Sequence, residues 1–473
     1  MARRNPWTQD PPMTSSRMAF ARFAALALVG VVLSSGSFVV VERLGAPGPA
    51  LVAAATIFIL GMAAVGGAAS GTMRLPVFLT QGRGLPAAGL SVATATAALF
   101  GLPGQPAIGI TLGLFLAAFL MGPALRRSGA PTWPCFLGVR FSSPLLRALS
   151  AVVLAAASIG LGAAALAHAA VALAGALDLT QPQAAALAGL VLALTAVPGG
   201  ARSQTRAGVA LGLVVLAGAA ALWFVRDATS PERMLTLLAP ITRPDSVAVG
   251  VAAALCALCL PSAQTIWPGL DRPEDMRIGL LWAGVLTGAI AFGIGPAASQ
   301  SGGLFADLAF HALVTAGSLA ASGALLLAAG QAIGFDMRPG VDRRWTPASW
   351  RFAALRFATV GAIAAAGVGA ALYPAKAASM ADPAAALAVG ALLPPLLLGA
   401  GWSRANAAGA ITSLGAGLAA ALALIDGRLG SPEMGGASAG LVACAVGLAA
   451  GATASLFTRR SAQTPRPLAD DML

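Results

Sequence analysis

Long apolar stretches recur along the whole chain and are separated by short polar breaks. Since a hydrocarbon core of about 30 Å is crossed by about 20 residues of helix, each stretch predicts a membrane-spanning helix. The third, sixth and twelfth stretches are short or contain glycine and proline. This pattern predicts an all-α polytopic membrane protein. Its 14 predicted spans are centred near residues 30, 60, 94, 115, 161, 190, 215, 257, 289, 320, 363, 392, 417 and 447.

Composition and charge agree with this class and exclude nucleic acid as a partner. Only 10% of the 473 residues are charged, against roughly 25% in soluble domains. The net charge of +12 comes from basic residues with a clear sidedness, because 23 of the 29 lysines and arginines fall on one predicted side. By the positive-inside rule that side is the cytoplasm. We therefore expect a bacterial-type inner (plasma) membrane protein with both termini cytoplasmic, surrounded by the lipid bilayer.

The first hydrophobic stretch, residues 18–41, has two interpretations. It follows a basic start and could be a cleaved signal peptide, but no convincing small-x-small cleavage site follows it. This favours a retained helix.

Motifs for catalysis are lacking in the sequence. There is no P-loop, no H-E-x-x-H and no G-x-S-x-G. Cys256 and Cys259 form a C-x-x-C inside an apolar helix, where packing is a better explanation than redox chemistry or zinc binding. We expect no enzyme, no cofactor, and no metal beyond a coupling Na⁺.

Two interrupted helices carry polar residues where a transport site would need them. The third stretch, LPAAGLSVATATAALFGLPG (85–104), ends in Gly-Leu-Pro-Gly, and the eighth, LCALCLPSAQTIWPG (255–269), contains Pro261. Irregular backbone inside a membrane is tolerated where it lines a cavity or is buried in protein. Two such helices, five helices apart, indicate an inverted-repeat transporter; the alternative is that polar residues merely join helices. The candidate solute-pathway residues are Ser91, Thr96, Ser262, Gln264, Thr265 and Ser318.

A line of polar residues follows one face of the tenth helix, within an arc of roughly 80°. Asp307 and His311 form a candidate proton-linked pair, with an interfacial, solvent-wetted pair as the alternative. Thr315, Ser318 and Ser322 either continue a pathway or bond back to the preceding helical turn.

Five segments, in order, resemble the sodium:solute symporter family. FLTQGRGLP, which begins at Phe78, is similar to the Phe-x-x-x-Gly-Arg-x-Leu-Pro element before the first core helix of that family. The element and its loop lean toward the acetate and monocarboxylate permease branch. The other four matching segments are residues 126–152, 197–216, 260–284 and 401–422.

The resemblance implies a LeuT-type fold, a five-plus-five inverted repeat with extra flanking helices. Solute and sodium would bind at unwound points of the first and sixth core helices. The implied organisation is an N-terminal tail and extra helix (1–49), a pre-core helix (50–75), two five-helix repeats (76–225 and 226–403), two post-core helices (404–458) and a cytoplasmic tail (459–473).

The sodium-site positions implied by the resemblance are degenerate. The hydroxyl pair common in the family falls on Ala320 and Ala321, and the backbone carbonyl donors fall on Thr94 and Ala97. Ser322 or Ser318 is a candidate to replace a lost hydroxyl. An acidic residue common in the first core helix falls on Ala95. These departures weaken sodium coupling more than they weaken the fold.

The predicted function is a secondary active transporter, resembling a cation:solute symporter, that moves a small organic solute by alternating access. Acetate or another short monocarboxylate is the expected solute, with Na⁺ or H⁺ as the coupling ion. The alternative is a transport-deficient paralogue that acts as a membrane binding or regulatory protein.

Overall fold

The computed structural model describes residues 13–68, 70–225, 244–294, 304–337, 348–426 and 436–458. In these ranges the chain is helical, apart from turns, loops and one isolated parallel β-bridge between Leu85 and Leu270. The helices are α1 Met13–Arg43, α2 Gly48–Ala68, α3 Leu75–Thr80, α4 Ala87–Gly101, α5 Ala107–Leu120, α6 Gly122–Ser128, α7 Trp133–Arg140, α8 Pro144–Leu177, α9 Gln181–Ala196, α10 Ala201–Val225, α11 Pro244–Leu258, α12 Ala263–Ile266, α13 Met276–Ile294, α14 Leu304–Gln331, α15 Ala348–Leu372, α16 Pro374–Ser379, α17 Ala381–Leu387, α18 Leu393–Gly401, α19 Ala407–Ile425 and α20 Gly436–Phe457.

The described helices confirm a polytopic membrane protein. Eleven segments are long and apolar enough to cross a membrane, and the bent pair α5 and α6 makes a twelfth. The two shorter apolar helices, α4 and α9, complete the set. Each of the 14 predicted centres falls inside one of these segments. The predicted tail, 459–473, lies outside the described residues.

Local sequence signals explain where several helices begin. Ser143 precedes Pro144 at the start of α8, and its side chain accepts a hydrogen bond from the Leu146 N–H. Thr180 and Gln183 form a capping box at the start of α9. Such caps bond backbone N–H groups that have no partner inside the helix.

The interruption before α4 lies earlier than the sequence led us to expect. Gln81, Gly82 and Arg83 have φ angles of 61°, 68° and 52°, and α4 then runs without a break from Ala87 to Gly101. The alanine-rich stretch that contains the predicted carbonyl donors is a good helix former. Glycine and proline cluster just before it, so the chain breaks there.

The interruption of the eighth predicted span is confirmed. Helix α11 ends at Leu258 and the chain resumes helical structure at Ala263, on either side of Pro261. The twelfth span is also irregular, with a π-helical segment at Ala388–Leu392. Pro394 and Pro395 follow it, and a proline ring clashes with the carbonyl four residues earlier. Widening the helix by one residue accommodates that clash.

Helix α14 is the centre of the bundle. In its apolar window 89% of the residues are buried, against 6% for α1. The helix that carries the line of polar residues is therefore surrounded by other helices, while α1 lies at the periphery.

A buried ion pair joins α8 to the end of the α14 span. The Arg147 Nη2 lies 2.9 Å from the Asp336 Oδ1, and the Asp336 side chain is fully buried. The Arg147 guanidinium also stacks 4.9 Å from the centre of the Phe335 ring. The pair fixes the spacing between two of the most buried helices.

Replacing Arg147 with methionine is expected to lower the midpoint of thermal unfolding in detergent. The Asp336 carboxylate would stay buried without its cation, and such a loss costs about 3–5 kcal/mol. The double variant Arg147→Met, Asp336→Leu removes both charges and should recover much of the loss. Equal midpoints for the single and double variants would contradict the pairing.

Candidate functional site

The two interrupted helices meet and satisfy each other's backbone. The Leu85 N–H donates to the Gly269 carbonyl at 2.9 Å, and the Asp271 N–H donates to the Leu85 carbonyl at 3.0 Å. The buried Arg126 guanidinium, at the end of α6, donates to the Leu270 carbonyl with an Nη2–O distance of 2.7 Å. The chain thus builds a small hydrogen-bonded joint from its two irregular segments.

The Gln81 side chain strengthens this joint. Its Nε2 donates to the Thr265 carbonyl at 2.8 Å and to the Thr205 hydroxyl of α10 at 2.7 Å. Left-handed backbone costs about 1–2 kcal/mol for a residue other than glycine. Both Gln81 and Arg83 adopt it, and the bonds from the Gln81 amide help to hold that conformation.

Gly269 leaves the space that the Gln81 amide occupies. A Cβ added at Gly269 would lie 2.6 Å from the Gln81 Nε2 and 2.5 Å from its Oε1. Real Cβ atoms do not approach other atoms so closely, so only glycine fits while Gln81 keeps its place.

A small recess with about 20 Å³ of free space, room for about one water molecule, lies beside this joint. Thr80, Arg83, Arg126, Thr132 and Trp267 are among its lining residues. The Trp267 side chain is 2% exposed and its indole N–H has no hydrogen-bond partner. Arg83 and Arg126 bring positive charge to the lining of this recess, and Arg126 already donates to the Leu270 carbonyl.

Two of the predicted polar residues have buried hydroxyls without a partner. The Thr94 Oγ1 lies on α4, and the Ser262 Oγ lies in the break between α11 and α12. An unsatisfied buried hydroxyl costs about 1–3 kcal/mol. The same condition holds for Ser158 on α8 and for both amide atoms of Gln331 on α14. These four unsatisfied groups belong to four different spans of the bundle interior.

The hydroxyls of Ser91, Thr96 and Thr265 are already hydrogen-bonded, and Ser318 is buried on α14. The Ser91 Oγ lies 2.9 Å from the Gly279 carbonyl of α13. The Thr96 hydroxyl donates to Val92 O and the Thr265 hydroxyl to Ser262 O, both within their own segments. These groups have structural roles in the described conformation.

Gln264 is bonded at both ends of its amide. Its Nε2 donates to the Ala328 carbonyl of α14 at 3.0 Å, and its Oε1 accepts from the Trp133 N–H at 3.4 Å. The side chain is fully buried and ties α12 to α14 and α7.

Most of the groups predicted to bind Na⁺ already take part in hydrogen bonds in the described conformation. Thr94 and Ala97 lie within the regular helix α4, whose carbonyls accept the N–H four residues on. The Ala320 carbonyl accepts the Gln204 Nε2 at 3.3 Å, and Ala321 offers no side-chain oxygen. The Ser322 hydroxyl donates back to the Ser318 carbonyl at 2.7 Å.

The outer part of the polar line faces a helix that lies outside the two predicted repeats. The His311 Nε2 lies 3.0 Å from the Thr56 Oγ1 of α2 and 3.3 Å from the Thr315 Oγ1. Asp307 is exposed, and among the ion pairs of the described residues none joins it to His311. This geometry favours a contact between α14 and α2 over a proton pathway.

Sequence reasoning missed the buried glutamines Gln81, Gln204 and Gln331 and the unsatisfied Ser158. A polar side chain inside an apolar helix is itself a functional signal. Applied evenly, that rule would have identified Gln204 in GGARSQTRAG and Gln331 in LLLAAGQAIG.

No protein-family model matches the sequence, and no curated protein matches it. Among solved structures, the fold is similar to that of a Na⁺-coupled sialic acid symporter, solved in a substrate-bound, outward-open state. The TM-score is 0.66 at 15% sequence identity, over 87% of this chain and 98% of the symporter. This similarity confirms the predicted fold class, a LeuT-type arrangement of membrane helices.

Replacing Gly269 with alanine is expected to lower the unfolding temperature, because the added methyl group displaces the Gln81 amide. In a Gln81→Ala background the methyl group has room, so its cost should fall. Thermal unfolding of the wild type, both single variants and the double variant measures the coupling, expected at about 0.5–3 kcal/mol for residues in contact. Strictly additive losses would show that Gln81 and Gly269 do not meet.

Proposed function

We propose that this chain is a member of the sodium:solute symporter family and a secondary transporter of a small organic solute, working by alternating access. The observation that carries the proposal is the fold similarity to a Na⁺-coupled symporter over 87% of this chain. The five ordered segments that resemble the family support it independently. Interrupted helices are typical of such transporters.

The unsatisfied hydroxyls support a solute-binding role for the interrupted helices. Thr94 and Ser262 are buried, and each leaves its hydroxyl without a partner. Folding alone would favour alanine or valine there, since an unbonded hydroxyl is a cost. A solute oxygen would supply the missing hydrogen bond, so we assign these two groups to solute binding.

The recess beside the joint supports an anionic solute. Arg83 and Arg126 line it, at the end of the bundle that the charge distribution assigns to the cytoplasm. Guanidinium groups bind carboxylates through paired, charge-assisted hydrogen bonds. We therefore keep acetate or another short monocarboxylate as the proposed solute, with Na⁺ and H⁺ as the coupling ions to be compared.

A binding or regulatory protein without transport is the second candidate. The specific observation in its favour lies at Ala320, a position of the implied sodium site that has lost its hydroxyl and whose carbonyl is already bonded to Gln204. A chain that no longer needs an ion gradient could retain the fold for solute sensing alone.

Uptake into proteoliposomes separates these two functions. Purified full-length protein is reconstituted, and entry of labelled acetate is followed under an imposed Na⁺ gradient, an imposed H⁺ gradient, or neither. We expect uptake above protein-free liposomes in at least one arm. Acetate binding without flux in any arm would favour the regulatory protein and rule out transport of this solute.

The variants Thr94→Val and Ser262→Ala are expected to reduce uptake severalfold while leaving the unfolding temperature unchanged or raised. Each removes a hydroxyl that has no partner in the fold, so no structural bond is lost. The matched control is Thr287→Val, whose hydroxyl donates to Ala283 O within α13; it should leave uptake unchanged. Wild-type uptake by both site variants would remove these hydroxyls from the solute site.

A further inference from the structure

Gln204 makes a buried polar contact in the middle of the bundle. It lies in the first turns of α10, is 3% exposed, and reaches across to α14. Its Nε2 donates to the Ala320 carbonyl at 3.3 Å, and its Oε1 accepts from the Thr195 hydroxyl of α9 at 3.2 Å. Both ends of the amide are therefore bonded to different helices.

Gly323 on α14 leaves the space for this amide. A Cβ at that position would lie 2.6 Å from the Gln204 Oε1 and 2.7 Å from its Cδ. No alanine could occupy position 323 while Gln204 reached Ala320. Glycine lowers helix stability by about 1 kcal/mol relative to alanine, so the close approach has an energetic cost that the contact must offset.

The Ala320 carbonyl has a second lone pair that can accept a positive partner. It belongs to a regular helix, where the first lone pair accepts the N–H four residues on. In a dry interior the second can bind a metal cation or accept another N–H group. The Gln204 amide fills that place with a neutral donor that cannot dissociate.

A second glutamine repeats the arrangement two turns along the same helix. The Gln264 amide donates to the Ala328 carbonyl, eight residues after Ala320. Carbonyls at two levels of α14 are thus bonded by amides from α10 and α12. The neighbouring Ala321 adds no side-chain oxygen, and Ser322 directs its hydroxyl to its own helix.

We propose that the Gln204 amide takes the place of a coupling cation between α10 and α14, so that this protein neither binds nor requires Na⁺ at that contact. The inference rests on the proposed transport function, because only a transporter has a coupling cation. It concerns Na⁺ binding, which can be measured without measuring transport.

The test measures thermal unfolding of the purified full-length protein in detergent, with NaCl replaced stepwise by choline chloride at constant ionic strength. The wild type is expected to show no Na⁺-specific shift. In Gln204→Glu a carboxylate faces the Ala320 carbonyl and the Thr195 hydroxyl, which together form an oxygen-rich site. We expect a lower unfolding temperature in choline and a saturable, Na⁺-specific rise of several degrees.

The matched control is Gln331→Glu, another buried glutamine, on α14 itself, whose amide atoms have no partner. Its unfolding temperature should be lowered by the same amount in NaCl and in choline chloride. A saturable Na⁺-specific rise in the wild type would overturn the proposal, and so would a folded Gln204→Glu that Na⁺ does not stabilise. If that variant does not fold, the wild-type titration alone decides.

The outcomes also separate this inference from the proposed function. Absent uptake together with the expected unfolding pattern would reject transport and leave the replacement of Na⁺ standing. Uptake by a wild-type protein whose unfolding temperature Na⁺ raises would support transport and reject the replacement of Na⁺.

Discussion

The rest of the structure depends on one constraint, which is that every backbone polar group inside a membrane must find its partner within the protein. The chain departs from regular α-helix at residues 81–86 and again at residues 259–262. The first of these segments is bonded to residues 265–271, which follow the second segment in the chain. The bridge between Leu85 and Leu270, the Gln81 amide and the Arg126 guanidinium supply the missing partners. Irregular backbone is thereby held at one place in the bundle.

The buried polar groups of the interior fall into two sets, those with a hydrogen-bond partner and those without one. Gln81, Gln204 and Gln264 each donate to a backbone carbonyl of another helix and stabilise the packing. Thr94, Ser158 and Ser262 have hydroxyls without a partner. The bonds of the first set hold the framework together, and the hydroxyls of the second set take no part in it.

The length of the apolar stretches was enough to predict the spans, because the bilayer imposes a length that any apolar helix must meet. Pro261 was enough to place one break, since proline removes a backbone donor. The other break was expected near Thr94 and lies before Ala87. Within a glycine-rich chain, local sequence does not show which glycines are used for a turn and which allow helices to approach.

The sequence by itself determined a helical membrane protein of 14 segments and, through its resemblance, the class of fold. Only the tertiary structure decided which polar side chains hold the framework. His311 bonds to Thr56, 255 residues away in the chain, and Gln204 reaches Ala320 across 116 residues. The physical reason is that burial is a property of each helix, which its own residues specify, whereas a hydrogen-bond partner belongs to the neighbour that packing supplies.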